Sequence, residues 1–275
     1  MKLTLLGTGC PKVDTLRYGP ANIVYDSKTK LLIDCGSGVT QRLEKINISS
    51  KDIDALFLTH LHSDHVMDFY QLILSSWHSY RLKPWKIYGP KGTKKFINLI
   101  MQAWKNERKN RIDYENRSST KAFEIKVYEF DKYGKIKVGD FLIEYFEVDH
   151  KPVKYSFGFN FFFKDKKITI SGDTKPCNNL MKYAQKTDLL LHEVFVEGEL
   201  KPLKKMRSKK TLHNIKKYHT SSDDVGKIAK ISKCKKLVLT HFVPPIFNEK
   251  KLISAVKKDF GKKPIIGRDL LTFKI

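Results

Sequence analysis

The chain has 275 residues, 41% of them hydrophobic, and carries 53 Lys and Arg against 29 Asp and Glu, a net charge of +24. It is long enough to bury a core. No apolar run approaches the roughly 18 residues of a membrane span, so we expect no membrane partner. The charge favours an anionic partner, above all nucleic acid, although scattered solvated lysines would give the same surplus.

The predicted elements alternate between strands and helices along the chain. Residues 1–7 form a first strand, and their apolar run is too short for a secretory signal. Helical spacing of apolar residues predicts helices over residues 39–46, 67–80, 94–105, 221–231 and 252–260. Residues 106–121 are polar and charged, and we predict a mobile loop or lid there.

Two patterns recur in the sequence and suggest an internal duplication. Residues 22–36 are predicted as a strand, a turn and a strand ending in Asp34, and residues 159–173 repeat this arrangement. Three apolar strands each deliver ligand-type side chains at their ends; they cover residues 55–58, 189–191 and 237–239. We therefore predict a single domain over residues 1–275, made of two pseudo-equivalent halves, about 1–135 and 136–275.

A cluster of metal-ligand side chains follows the strand at residues 55–58. His60, His62, Asp64 and His65 lie within six residues. Side chains two apart on an extended segment point the same way, so His60 and His62 can face one ion. After a turn, Asp64 and His65 can reach a second ion. Imidazoles with carboxylates suit zinc or a similar divalent metal.

Further ligand candidates sit at the ends of later predicted strands. They are His150, Asp173 and His241. Alone, each is more simply explained as a capping or hydrogen-bonded polar residue. Because the cluster at residues 60–65 cannot coordinate two ions by itself, the joint pattern favours a dinuclear site.

Taken together, these segments resemble the metallo-β-lactamase superfamily, and within it the ribonuclease Z-like group. The resemblance extends over almost the whole chain. It is carried by residues 6–11 (Leu-Gly-Thr-Gly-Cys-Pro), 34–38 (Asp-Cys-Gly-Ser-Gly), 59–65 (Thr-His-Leu-His-Ser-Asp-His), 150 (His), 171–174 (Ser-Gly-Asp-Thr), 192–193 (His-Glu), 219–221 (His-Thr-Ser) and 240–241 (Thr-His).

The resemblance implies an α/β fold, a four-layer αββα sandwich with two divalent metal ions at one edge. Zinc is the expected metal, and manganese or iron would also fit. One ion would take His60, His62 and His150; the other would take Asp64, His65 and His241; Asp173 would bridge them. Asp64 would also hold and deprotonate the attacking water.

The same resemblance gives catalytic roles to Glu193 and His219. His219, oriented by Glu193, would stabilise developing charge or donate a proton to the leaving oxygen. The alternative is that His219 only caps the helix that begins near Ser221.

One departure from ribonuclease Z bears on the substrate. That enzyme usually has a long arm, which grips the tRNA elbow, between the third histidine and the bridging aspartate. Here only residues 151–172 separate the two, so tRNA processing is in doubt. A basic segment at residues 201–218, with eight Lys or Arg and no acid, is a candidate substitute for phosphate contact or simply a solvated loop. Its candidate substrate-binding residues are Lys204, Lys205, Arg207, Lys209 and Lys210.

The favoured interpretation is a metal-dependent phosphodiesterase that acts on RNA as an endoribonuclease. A small-molecule hydrolase acting on a cyclic phosphodiester, aryl sulfate or lactone is the first alternative, and a non-catalytic nucleic-acid-binding protein is the second. The four cysteines form no CxxC pair, which favours the reducing cytoplasm. Ribonuclease Z-like relatives are often dimers, so the resemblance also allows a homodimer.

Overall fold

A computed structural model describes residues 1–200 and 208–275, and in that part of the chain two seven-stranded sheets pack face to face. The first sheet contains β1 (Lys2–Gly7), β2 (Ala21–Tyr25), β3 (Lys30–Ile33), β4 (Ala55–Phe57), β5 (Trp85–Gly89), β6 (Ile125–Glu129) and β14 (Thr272–Lys274), in the order β14-β1-β2-β3-β4-β5-β6. The second contains β7 (Tyr133–Val138), β8 (Phe141–Glu147), β9 (Phe157–Phe163), β10 (Lys166–Ile170), β11 (Leu189–Phe195), β12 (Lys236–Val243) and β13 (Ile265–Ile266), in the order β13-β12-β11-β10-β9-β8-β7.

The described residues also form nine α-helices. They are α1 (Val39–Lys45), α2 (Ser63–Val66), α3 (Phe69–His78), α4 (Thr93–Ala103), α5 (Lys105–Glu115), α6 (Asn178–Tyr183), α7 (Lys209–Lys216), α8 (Ser222–Ile231) and α9 (Glu249–Phe260). Helices α1, α3 and α4 pack on the first sheet, and α6, α8 and α9 pack on the second. This is the predicted αββα sandwich. No helix within the two described ranges is long and apolar enough to cross a membrane.

Alternation along the central strands produces three separate apolar layers. On β11, Leu189 and Leu191 face the core between the sheets, whereas Leu190 and Val194 face the helices outside. Side chains on a strand alternate between its two faces, so a strand buried on both sides is a continuous apolar run. The three apolar strand runs that the sequence shows are therefore the central strands β4, β11 and β12.

The two sheets share a connection that explains the sequence echo. In the first, the antiparallel hairpin of β2 and β3 is followed by β4, which runs parallel to β3. In the second, the antiparallel hairpin of β9 and β10 is followed by β11, parallel to β10. β6 closes one sheet and β7 opens the other, while β14 returns to the first. The division into two pseudo-equivalent halves stays a prediction from the sequence.

The loop predicted over residues 106–121 is wrong for most of its length, because α5 occupies Lys105–Glu115. Helix α5 has no buried residue, so it shows no apolar periodicity. Charged pairs one turn apart stabilise it instead: Arg111 pairs with Glu107 and Glu115, and Lys109 pairs with Asp113.

One carboxylate near the C-terminus holds both ends of the loop between β1 and β2. Asp269 Oδ1 accepts from the Thr8 backbone N–H at 3.0 Å and from its hydroxyl at 2.7 Å. Its Oδ2 accepts from the Tyr18 N–H at 2.8 Å and from Arg42 Nη2 at 3.2 Å. Gly9 N–H donates to the Tyr18 carbonyl at 2.8 Å and closes the loop. We call this arrangement the Asp269 clip.

A buried arginine anchors the same loop to the last strands. Arg17 Nη1 donates to Thr8 Oγ1 at 2.9 Å and to the Gly267 carbonyl at 2.8 Å. Its guanidinium carbon lies 4.2 Å from the centroid of the Phe242 ring. Phe242 directly follows His241, so the loop is fixed relative to a predicted metal ligand.

We expect Asp269→Ala to lower the free energy of unfolding by about 2–4 kcal/mol, because it leaves the clip's N–H and guanidinium donors without their charged acceptor. Urea denaturation followed by circular dichroism measures this. Asp165→Ala is the control, since that side chain is 78% exposed in a hairpin turn. An equal change in both variants would contradict the role of the clip.

Candidate metal centre

The seven predicted ligands meet at one edge of the sandwich, where central strands end. His60 and His62 follow β4, Asp64 and His65 lie in α2, His150 follows β8, Asp173 follows β10, and His241 lies in β12. Four of these side chains come from the segment after a strand of the first sheet. The other three come from the second sheet, so the site exists only where the two sheets face each other.

Asp173 lies at the centre of the cluster. Its Oδ2 is 3.2 Å from His241 Nε2, 3.5 Å from His65 Nε2, and 3.9 Å from both His60 Nε2 and His150 Nε2. A single carboxylate oxygen therefore faces four imidazole nitrogens from three segments of the chain. This central position fits the bridging role that the resemblance implies.

The remaining ligands complete two groups around Asp173. His62 Nδ1 lies 3.4 Å from His150 Nε2, beside His60. Asp64 Oδ2 lies 3.3 Å from His241 Nε2 and 3.7 Å from His65 Nε2. Within 4.8 Å, one group contains His60, His62, His150 and Asp173, and the other contains Asp64, His65 and His241. The structure thus brings together the two sets that the resemblance implies; that they bind metal is our proposal.

Hydrogen bonds at the far side of two rings turn their Nε2 atoms inward. His65 Nδ1 donates to Asp34 Oδ2 at 2.8 Å, and Asp34 Oδ1 accepts from the Thr59 N–H at 2.8 Å. His60 Nδ1 lies 3.0 Å from Thr59 Oγ1. Such outer partners fix the orientation of ligating imidazoles. Asp34 belongs to one of the matching sequence motifs, which assign it no role. Its contact with His65 shows that it orients this imidazole.

His150 depends on a partner that no sequence pattern shows. Its Nδ1 donates to the backbone carbonyl of Tyr218 at 2.8 Å. Any residue type supplies a carbonyl, so the side chain at position 218 carries no signal for this contact. The segment that follows α7 therefore supports the metal site through its backbone.

Two observations show that the cluster fits cations. His60 Nε2 and His65 Nε2 are buried and have no hydrogen-bond partner, although buried polar atoms are normally paired. Burial lowers the pKa of His60 well below its usual value and the pKa of His150 to about 4, whereas at His65 and His241 the charges of nearby carboxylates, Asp173 foremost, outweigh burial and raise the pKa. Neutral imidazoles are the form that binds metal ions.

His241 adopts a backbone conformation that re-aims its side chain. Its φ is 46°, in the left-handed region that side chains other than glycine rarely adopt. The pairing of β11 with β12 shifts here, because Glu193 opposes Thr240 whereas Val194 opposes Phe242. His241 is thus the extra residue of a β-bulge, a feature that often occurs next to functional sites.

Glu193 and His219 form a hydrogen-bonded pair next to the cluster. His219 Nδ1 lies 3.0 and 3.1 Å from the two carboxylate oxygens of Glu193. Glu193 Oε1 also accepts from the backbone N–H of Thr174 at 2.9 Å and of Thr220 at 3.3 Å. The carboxylate is fixed by the backbone, so it fixes the orientation of the imidazole.

His219 reaches the cluster and does not cap α8. One of its ring nitrogens lies within 4.8 Å of ligand atoms of Asp173 and His241. Its Nδ1 is engaged by Glu193, and the N-cap position of α8 belongs to Ser221. The capping interpretation of His219 is therefore wrong.

The basic segment is described only in part. Lys204, Lys205 and Arg207 lie outside the described residues. Lys209 and Lys210 are exposed in the first turn of α7, whose N-cap Ser208 accepts from the Thr211 N–H at 3.1 Å. The chain reaches Tyr218 directly after α7, so these two lysines belong to the segment that leads into the site.

Comparisons with known proteins show the family to which the chain belongs. Residues 1–238 match the family model described as "Anti-Pycsar protein Apyc1". The chain is 30% identical to the ribonuclease Z of Mycobacterium bovis (strain BCG / Pasteur 1173P2) over 275 residues, covering 98% of this chain and 96% of that protein. It is 32% identical to the ribonuclease Z of Mycolicibacterium gilvum (strain PYR-GCK), covering 90% of this chain and 85% of that protein.

Solved structures show the same fold. The metallo-β-lactamase fold protein YhfI from Bacillus subtilis superposes with a TM-score of 0.77 at 19% identity, covering 99% of this chain and 98% of that one. Human tRNase Z, short form (ELAC1), superposes with a TM-score of 0.73 at 24% identity, covering 100% and 99%.

We expect protein purified without chelators to contain about two divalent ions per chain, and Asp173→Asn to contain about one or fewer, because the central anion is lost. Elemental analysis measures the ions, and circular dichroism checks the fold. Asp165→Asn, in the exposed hairpin turn, is the matched control. Full metal content in a folded Asp173→Asn protein would rule out the bridging role.

Proposed function

Because this chain belongs to the metallo-β-lactamase superfamily, in the group of ribonuclease Z and the anti-Pycsar protein Apyc1, we propose that it cleaves phosphodiester bonds in RNA at a dinuclear metal site. Members of this group are metal-dependent hydrolases. The observation that carries the proposal is the single Asp173 oxygen within 3.9 Å of four imidazole nitrogens.

The donors favour zinc. His60, His62 and His150 would hold one ion, Asp64, His65 and His241 would hold the other, and Asp173 would bridge them. Nitrogen-rich sets with one or two carboxylates suit zinc, and manganese or iron would accept the same donors. When bound, the ions would neutralise phosphate oxygens and lower the pKa of water to about 7.

Asp64 would receive the proton of the attacking water. Its Oδ2 lies in the cluster, 3.3 Å from His241 Nε2 and 3.7 Å from His65 Nε2. The hydrogen bond with His241 Nε2 turns this oxygen toward the site. A carboxylate in this position accepts a proton as the water oxygen bonds to phosphorus.

His219 would assist the leaving group. As the bond between phosphorus and the leaving ester oxygen breaks, that oxygen gains negative charge and needs a proton. Glu193 holds His219 Nδ1, so Nε2 is the nitrogen available to donate. The anionic Glu193 would also stabilise the imidazolium before transfer.

The short β9–β10 connection argues against tRNA as the substrate. In place of an arm, residues 151–172 form β9, β10 and a tight turn at Lys164 and Asp165. We propose RNA that needs no elbow contact, bound through the basic segment at residues 201–218. The same missing arm supports a second candidate, a small cyclic phosphodiester that would need no contact beyond the site.

We expect His219→Ala to keep both metals and to lower kcat by about a hundredfold, because the leaving oxygen loses its proton donor. The loss should shrink for substrates that release nitrophenolate, which leaves without a proton. Steady-state kinetics on substrates with good and poor leaving groups measure the difference. His213→Ala, an exposed histidine in α7, is the control. Equal losses on both substrate types would point to a structural role.

The RNA proposal is tested by changing Lys204, Lys205, Lys209 and Lys210 to Ser. We expect weaker binding of unstructured RNA and a flatter salt dependence, by about 0.7 per lost phosphate contact, with unchanged cleavage of a small aryl phosphodiester. Binding titrations at several salt concentrations measure the slope.

The matched control changes Lys257, Lys258, Lys262 and Lys263 to Ser. These lysines lie at the end of α9 and just before β13, at the edge of the second sheet opposite the site. If the first variant binds and cuts RNA like the parent, the basic segment is a solvated loop and the small cyclic phosphodiester becomes the favoured substrate.

A further inference from the structure

We infer that the cavity beside Asp64 binds a nucleobase of the substrate; the inference rests on the proposed phosphodiesterase function. The cavity has a volume of about 470 Å³ and opens next to a proposed metal ligand. Its lining includes Pro11, Val13, Tyr18, Ser63, Asp64 and Met67. A phosphate at the metal site would direct one substituent into it.

A cavity of about 470 Å³ limits the size of its occupant. That space is enough for one base with its ribose, and far too small for a folded nucleic acid. The occupant must therefore be a single group that extends from the reacting phosphate.

The walls of the cavity are unusually apolar for a surface next to charged ligands. Val13 is 90% exposed and Met67 is 65% exposed, and both line this one space. Covering them with a flat ring would remove apolar surface from water. Tyr18 adds an aromatic wall, and the guanidinium of Arg42 lies 3.7 Å from the centroid of that ring. Bases bind to such surfaces by stacking, with little dependence on their identity.

Charge excludes a phosphate from the same space. Arg17 is the one cation among the described residues that line the cavity, and its Nη1 donates to Thr8 and Gly267. The carboxylate of Asp14 also lines the cavity and would repel a second phosphate. The hydroxyls of exposed residues at the rim can donate to or accept from any base edge; they belong to Thr15, Ser37 and Ser63.

The opposite flank of the site has a different character. A cavity of 320 Å³ beside His150 is lined by Lys151 and Lys154, together with Glu147 and Asp149. Asp149 pairs with Lys175 at 3.1 Å, so Lys151 and Lys154 face only the carboxylate of Glu147 and give this lining a net positive charge. The two flanks therefore favour a neutral ring on the Asp64 side and the phosphate backbone on the His150 side.

The Asp269 clip holds the base cavity in its open shape. It fixes Thr8 and Tyr18 at the two ends of the loop that carries Pro11 and Val13. A wall that is already ordered loses little conformational entropy when a ring binds. The cavity is therefore a preformed site.

The test compares ligands that differ only in the base. Isothermal calorimetry on zinc-loaded protein measures the Kd of adenosine 5′-monophosphate, uridine 5′-monophosphate and ribose 5-phosphate. We expect both nucleotides to bind about tenfold more tightly than ribose 5-phosphate, because each base stacks in the cavity. In the double variant Val13→Ser, Met67→Ser, this ratio should fall to about twofold or less, with the Kd of ribose 5-phosphate unchanged.

Leu82→Ser is the matched control, because Leu82 is 70% exposed and precedes β5 at the edge opposite the site. It should keep the parent's tenfold ratio. Equal affinity of the parent for nucleotides and ribose 5-phosphate would overturn the base site, and so would an unchanged ratio in the double variant. Calorimetry needs no turnover, so a parent that prefers nucleotides but cleaves no phosphodiester would contradict the proposed function alone.

Discussion

The position of one carboxylate oxygen constrains the rest of the structure. Asp173 Oδ2 can lie within 3.9 Å of four imidazole nitrogens only if four chain segments end at the same place. The parallel pairs of β3 with β4 and β10 with β11 bring those ends to one edge of the sandwich. Burying so many polar groups is costly unless they are paired or bind ions. The orienting contacts of Asp34, Thr59 and Tyr218 reduce that cost for three of the rings.

The apolar core fixes the distance between the two halves of the site. The Phe57 ring of β4 packs edge-on against Phe159 and Phe161 of β9, with centroids 5.8 and 6.1 Å apart. Phe57 lies three residues before His60, so the packing of one aromatic ring sets the depth of the ligands that follow. Cores are closely packed and transmit small changes in volume. The spacing of the ligands is therefore a property of the core as much as of the site.

The sequence predicts the ligands better than the contacts that support them. The side chains at residues 60–65 are close together in the sequence, and their spacing alone indicates metal ligands. Asp269 lies far along the chain from Thr8 and looks like any surface acid, so its clip appears only in three dimensions. The carbonyl of Tyr218 has no sequence signal at all. The bulge at His241 depends on a register between β11 and β12 that single strands do not show, and α5 lacks the apolar face by which helices are recognised.

The proposed metal ligands come from both sheets, and this would tie ion binding to the assembly of the molecule. Residues 60–65 belong to the first sheet, whereas His150, Asp173 and His241 belong to the second. Neither sheet alone holds a complete set, so each ion bound as proposed would cross-link the two sheets. An ion that binds only the assembled form stabilises it by mass action. In a cell short of metal, the chain would lose the links between its two sheets as well as its catalytic ions. The folded form would then be less stable, and the protein would have a shorter lifetime.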